Sequence, residues 1–137
     1  MLVREIMNPN VSVVNQEKSL SEAAQLMRET NCGSIPVENN NKLVGMITDR
    51  DIAVRAVASG ENPTKAVVKN HMSKGIKYCF DTDDLDDIGE LMSQNQLRRL
   101  PVLNRDKDLV GIVSIGDLAR YGKNEKLLYD TFANVCH

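Results

Sequence analysis

Two apolar runs, Leu43-Val44-Gly45-Met46-Ile47 and Leu109-Val110-Gly111-Ile112-Val113, stand out along an otherwise mixed chain. Each is short and almost unbroken, the pattern of a buried strand. Upstream of the first, Ser34-Ile35-Pro36-Val37 predicts another short strand, whose proline points to an edge or a strand end. The polar triplets Asn39-Asn40-Asn41 and Asn104-Arg105-Asp106 predict turns. Leu20, Ala23, Ala24 and Met27 share one helical face behind a Ser19–Glu22 capping box. Leu85, Ile88, Leu91 and Met92 form a matching stripe behind Asp84. Val11-Ser12-Val13-Val14 and Ile76-Lys77-Tyr78-Cys79 read as opening strands. Further helices are expected after Thr48 and after Ser114.

These elements occur twice in the same order. Met7 matches Met72 at a separation of 65, and the same shift pairs Leu20 with Leu85, Met27 with Met92 and Pro36 with Pro101. Beyond one inserted residue before Leu109 the shift is 66, pairing Gly45 with Gly111 and Asp51 with Asp117. Insertions belong in loops. Each copy therefore reads β-α-β-β-α, with boundaries at 1–62 and 63–123. A single copy of this size buries only ~60% of its unfolded surface and is marginal alone. Two copies are expected to pack sheet to sheet into one pseudo-symmetric body with a pair of matching clefts. The tail, 124–137, carries Leu128, Phe132 and Val135 at helical spacing and must dock on this body or on a partner.

Composition narrows the function. The 137 residues include 17 basic and 19 acidic side chains, a net charge of −2, and no Trp. A broad basic or base-stacking surface for nucleic acid is not expected. No apolar run approaches the ~20 residues that span a bilayer, and the N-terminus does not read as a signal peptide. Cys32, Cys79 and Cys136 are far apart and lack a metal-ligand spacing with His71 or His137, so reduced thiols in a cytoplasmic protein are expected and a metal site is not. The acidic run Asp81, Asp83, Asp84, Asp86 and Asp87 does not follow a calcium loop and reads as a helix start, with Mg²⁺ present only if carried by a nucleotide. No nucleophile–base pair or phosphate loop supports catalysis, so the chain is not expected to be an enzyme.

The chemistry lies where the buried strands give way to helices. Gly45, Thr48 and Asp51 are echoed by Gly111, Ser114 and Asp117. A hydroxyl at such a junction can donate to a phosphate, and an ionised carboxylate can accept from two ribose hydroxyls. Thr-x-x-Asp is equally a capping box. The two roles are compatible.

The ordered pair of segments, Ser34-Ile35-Pro36-Val37 with Leu43 to Ile52 and Arg98 to Val102 with Leu109 to Leu118, resembles a tandem pair of CBS domains, the small regulatory module named after cystathionine beta-synthase. The match covers Val3 to about Tyr121. The resemblance implies an α/β (α+β) fold of two repeats packed with pseudo-twofold symmetry into a Bateman module, commonly a homodimer. It implies an adenosine-containing effector: AMP, ADP, ATP, NAD or S-adenosylmethionine. Carried over by position, Thr48, Asp51, Ser114 and Asp117 would hold phosphate and ribose, and Met46 and Ile112 would line the adenine. Ser34, Ile35, Arg99 and Leu100 would form the opposite wall. Val11 to Val13, and Ile76, Lys77 and Tyr78, would contact the base. Arg99 stands where the first copy has Ser34, so unequal clefts are expected; Arg99 reads either as a phosphate ligand or as a solvated or ion-paired edge. Without an effector domain, a sensor of this kind acts on a separate partner protein. A ligand-free dimerisation scaffold is the alternative.

Overall fold

The computed structural model describes residues 1–122 and 125–135; Lys123, Asn124, Cys136, His137 and the side chain of Val135 lie outside the described set. The fold is α+β, with two three-stranded sheets, β1-β2-β3 and β4-β5-β6. The strands are β1 (Val14–Asn15), β2 (Ser34–Asn39), β3 (Lys42–Thr48), β4 (Cys79–Phe80), β5 (Arg99–Leu103) and β6 (Leu109–Ser114). The α-helices are α1 (Leu20–Thr30), α2 (Leu85–Asn95), α3 (Ile115–Tyr121) and α4 (Glu125–Val135). A π-helix, Asp51–Val57, follows β3.

Local chemistry sets the ends of these elements. Ser19 Oγ accepts from Glu22 N–H at 3.1 Å, and Glu22 Oε2 accepts from Ser19 N–H at 3.0 Å. That reciprocal cap starts α1, and left-handed Asn31 (φ 54°) ends it. Asp84 Oδ1 starts α2 by accepting from Asp86 N–H at 3.0 Å, and left-handed Gln96 ends it. Asn40 and Asn41 both take positive φ, the backbone that a tight two-residue hairpin needs. The second hairpin is longer, and Asn104 to Asp108 closes it through two backbone bonds. The inserted residue therefore falls in this loop.

Contacts divide the chain into two compact units, Ser12–Ile76 and a split unit of Met1–Val11 with Lys77–His137. Each has its own core. In the first, Leu20, Ala23, Met27, Ile35, Val37 and Ile47 enclose Val68. In the second, Leu85, Ile88, Met92, Leu100, Val102 and Val113 enclose Val3 and Ile6. Fully burying one such side chain stabilises by about 1.5–3 kcal/mol.

A compact unit and a sequence repeat are thus different divisions of the chain, because the leading segments are exchanged. The leading segment of the first copy completes the split unit: Val3 N–H donates to Asp83 O, and Asn8 and Ile112 exchange two backbone bonds of 2.9 and 3.0 Å. The leading segment of the second copy completes the other unit: Val68 N–H donates to Lys18 O, and Ser73 and Met46 exchange bonds of 2.9 and 3.1 Å.

Pro36 lies inside the central strand β2, and not at an edge or strand end as its residue type predicts. Met46, opposite it, spends both backbone groups on Ser73, so the backbone of Pro36 faces β1. With no N–H to offer, Pro36 halts the parallel ladder there. Pairing begins only at Val14↔Val37, which shortens the predicted Val11–Val14 strand to two residues. Pro101 has the same effect on the predicted Ile76–Cys79 strand, where pairing begins at Cys79↔Val102.

One helical stripe is also corrected. Ala24 is exposed, because the buried stripe of α1 is centred on Ala23 and Met27 and Leu26 takes its other flank. The tail docks on its own unit through more than the predicted stripe. Thr131 is fully buried, and its Oγ1 donates to Leu127 O at 2.7 Å and lies 3.2 Å from Gly89 O. Gly89 leaves the room that Leu127 fills.

The acidic run serves the backbone here. Asp83 Oδ2 accepts from Phe80 N–H at 2.9 Å and Asp84 caps α2. Among the described residues, Cys32 and Cys79 take part in no disulfide. Burial, reinforced by Asp83 and Asp81, pushes the Cys79 thiol up to about 12, so it stays protonated and unreactive at neutral pH.

Candidate functional site

Strand register sorts the predicted residues. Ser34 pairs with Thr48 and Pro36 with Met46. Side chains alternate along a strand, so Ser34, Met46 and Thr48 share the sheet face opposite the core face of Ile35, Val37 and Ile47. In the split unit Arg99 pairs with Ser114 and Pro101 with Ile112, again opposite the core face of Leu100, Val102 and Val113. The side chains of Ile35 and Leu100 therefore belong to the cores, and only their backbones remain for a ligand. Val13, Lys77 and Tyr78 are exposed, with Tyr78 edge-on to Phe80 at 5.6 Å between ring centroids. Val11 is grouped with the unit that holds Ser114 and Asp117, and Ile76 with the unit that holds Thr48 and Asp51.

Both junctions form the reciprocal cap that their spacing allows. Asp51 N–H donates to Thr48 Oγ1 at 3.0 Å, and Thr48 N–H donates to Asp51 Oδ2 at 3.0 Å. Asp117 N–H donates to Ser114 Oγ at 3.1 Å, and Ser114 N–H donates to Asp117 Oδ2 at 2.8 Å. Capping uses each hydroxyl oxygen as an acceptor and leaves its proton to donate. A carboxylate offers about four acceptor sites, and the cap takes one. The same atoms can therefore cap a helix and meet a ligand.

The motif glycines have a different task. A Cβ on Gly45 would stand 2.7 Å from Met72 Sδ and 2.8 Å from Ser73 O. On Gly111 it would stand 2.5 Å from Met7 Sδ and 3.1 Å from Asn8 O. These glycines seat the exchanged segments. Sequence reasoning paired Met7 with Met72 and Gly45 with Gly111 but did not see that each methionine covers the other copy's glycine. It also missed Arg55, whose Nη1 lies 3.4 Å from Asp51 Oδ1; the i,i+4 spacing was the available signal.

An open groove of about 290 Å³ lies elsewhere in the Ser12–Ile76 unit, between β1 and α1, with Val13, Lys18, Glu22, Leu26 and Glu29 among its walls. Among the described residues no cluster of three or more His, Cys, Asp or Glu could hold a metal ion. Nor is any helix of these residues long and apolar enough to cross a membrane.

A family model described as CBS domain matches residues 3–57 and 68–124. The chain is 36% identical to the CBS domain-containing protein YhcV of Bacillus subtilis, over 98% of this chain and 95% of that protein. The crystal structure of Hypoxic Response Protein I with two coordinated zinc ions shares 35% identity; the similarity covers 90% of this chain and all of that one, with a TM-score of 0.82. That of CBSX2, an Arabidopsis thaliana CBS-pair protein, in complex with AMP shares 28% identity, over 91% of this chain and 98% of that one, with a TM-score of 0.76.

Proposed function

The chain belongs to the CBS domain family, and from that premise we propose that it is a regulatory sensor of an adenosine-containing ligand. AMP, ADP, ATP, NAD and S-adenosylmethionine are the candidates. In this reading the repeats 1–62 and 63–123 each contribute one junction. Thr48 and Ser114 donate to phosphate, Asp51 and Asp117 accept from ribose, and Met46 and Ile112 flank the base. The chain works without catalysis, as a cytoplasmic homodimer whose ligand shifts the equilibrium between two states that a separate protein reads. Metal enters only with a nucleotide.

The observation that carries this reading is the AMP complex of CBSX2, a relative over nearly the whole chain. The two hydroxyl–acid pairs of this chain, on matching sheet faces, support it. The satisfied caps favour a second reading, a ligand-free dimerisation scaffold, because every junction side chain already has a structural task. A thermal-shift panel of the five compounds separates the two. A ligand at a hundredfold excess over its Kd stabilises by about 2.7 kcal/mol. The sensor reading expects such a rise with at least one compound. A flat response to all five selects the scaffold.

A further inference from the structure

The two junctions share a hydroxyl, an acid and a reciprocal cap, yet differ one turn further on. In the first, Arg55 stands four residues after Asp51 and its Nη1 lies 3.4 Å from Asp51 Oδ1. The Asp51 side chain is 7% exposed, whereas that of Arg55 is 63% exposed. Thr48 N–H donates to the other oxygen, so each oxygen of this carboxylate has a partner. In the second, the matching position is Tyr121, whose ring faces the Arg120 guanidinium at 5.9 Å. Asp117 is half-buried and its Oδ2 accepts from Ser114 N–H, but the position that Arg55 holds in the first junction carries no charge in the second.

We propose that Arg55 is a positioning residue that makes the first junction the tighter ribose site. The inference rests on the reading that the junction acids accept ribose hydroxyls. An aspartate oxygen has two lone pairs, so Oδ1 can keep the guanidinium and still accept a hydroxyl. A carboxylate already held at both oxygens loses less side-chain freedom when the sugar arrives. Asp117 is held through Oδ2 by its cap, with tyrosine in place of Arg55 one turn on. Arg55 and Arg99 thereby differ in kind: Arg55 acts through the ribose acid, from the helical side of its junction, whereas Arg99 lies on the strand side of the other.

Calorimetric titration of the full chain with AMP and with its 2′,3′-dideoxy analogue tests this. The parent is expected to show one tighter event that favours AMP over the analogue. Arg55→Met should weaken AMP at that event by about tenfold and leave the analogue unchanged. Arg55→Lys should restore most of the loss, and Tyr121→Arg should tighten the second event for AMP alone. If Arg55→Met weakens AMP and the analogue equally, or neither, the proposal fails. If the parent itself binds both compounds alike, the ribose reading fails and takes the proposal with it.

Discussion

Replacing Gly45 by alanine is expected to lower the stability of the chain by about 2–3 kcal/mol, through overpacking that the backbone cannot relieve. The new Cβ would meet Ser73 O at 2.8 Å as well as Met72 Sδ at 2.7 Å. Met72 can move its end, but Ser73 is tied to Met46 by two backbone bonds. Alanine gains at most about 1 kcal/mol over glycine in backbone entropy, so the clash wins. Gly111→Ala differs in kind. There the closest atom, at 2.5 Å, belongs to the Met7 side chain, and Asn8 O stands off at 3.1 Å. Met7→Ala should therefore rescue much of the Gly111→Ala loss, whereas Met72→Ala should rescue little of the Gly45→Ala loss. Gly116→Ala is the control, since its nearest neighbour would be Ser114 Oγ at 3.5 Å. Urea unfolding of the five single variants and the two doubles measures all of this. Equal rescue at both sites would refute the proposed seating of the segments.

The second large effect falls on the acids. Asp51→Ala is a poor probe, because it removes the acceptor of Thr48 N–H, and losing such a cap costs about 1 kcal/mol. Asparagine keeps an oxygen for the cap and replaces the other acceptor by a donor. Asp51→Asn and Asp117→Asn are each expected to remove one of two AMP-binding events. Hydrogen bonds to a charged group contribute about 1.5–3 kcal/mol, so the affected event should weaken at least about tenfold. Asp51→Asn should also cost stability that Asp117→Asn does not, because the amide nitrogen would then face the Arg55 guanidinium. Equilibrium dialysis with AMP reads the events, and thermal melts read the stability. Two events of unchanged affinity in both variants would remove the acids from the site.

What could be read along the chain was local or periodic. The duplicated order of elements, the Ser19 cap, the Asn40–Asn41 turn and the hydroxyl–acid junctions each rest on residues within a few positions of one another. What could not be read depends on pairing between distant segments. Pro36 looks like an edge proline until Met46 is seen to spend its backbone on Ser73. Val3 and Ile6 mark the first copy in sequence, yet they are core residues of the unit built on the second. Ala24 belongs to the predicted stripe, yet Leu20, Ala23 and Met27 are buried while Ala24 is exposed and Leu26 flanks them. The junction residues were legible as a pattern. That their oxygens are already engaged in capping, and that Arg55 stands 3.4 Å from Asp51 Oδ1, needed coordinates.

The most direct test follows backbone amide resonances of the labelled full chain while AMP is added. The account predicts saturable shifts at Thr48, Asp51, Ser114 and Asp117, the four residues whose N–H groups and side chains form the two junctions. Shifts confined to the groove between β1 and α1, or none at any concentration that saturates binding, would contradict it.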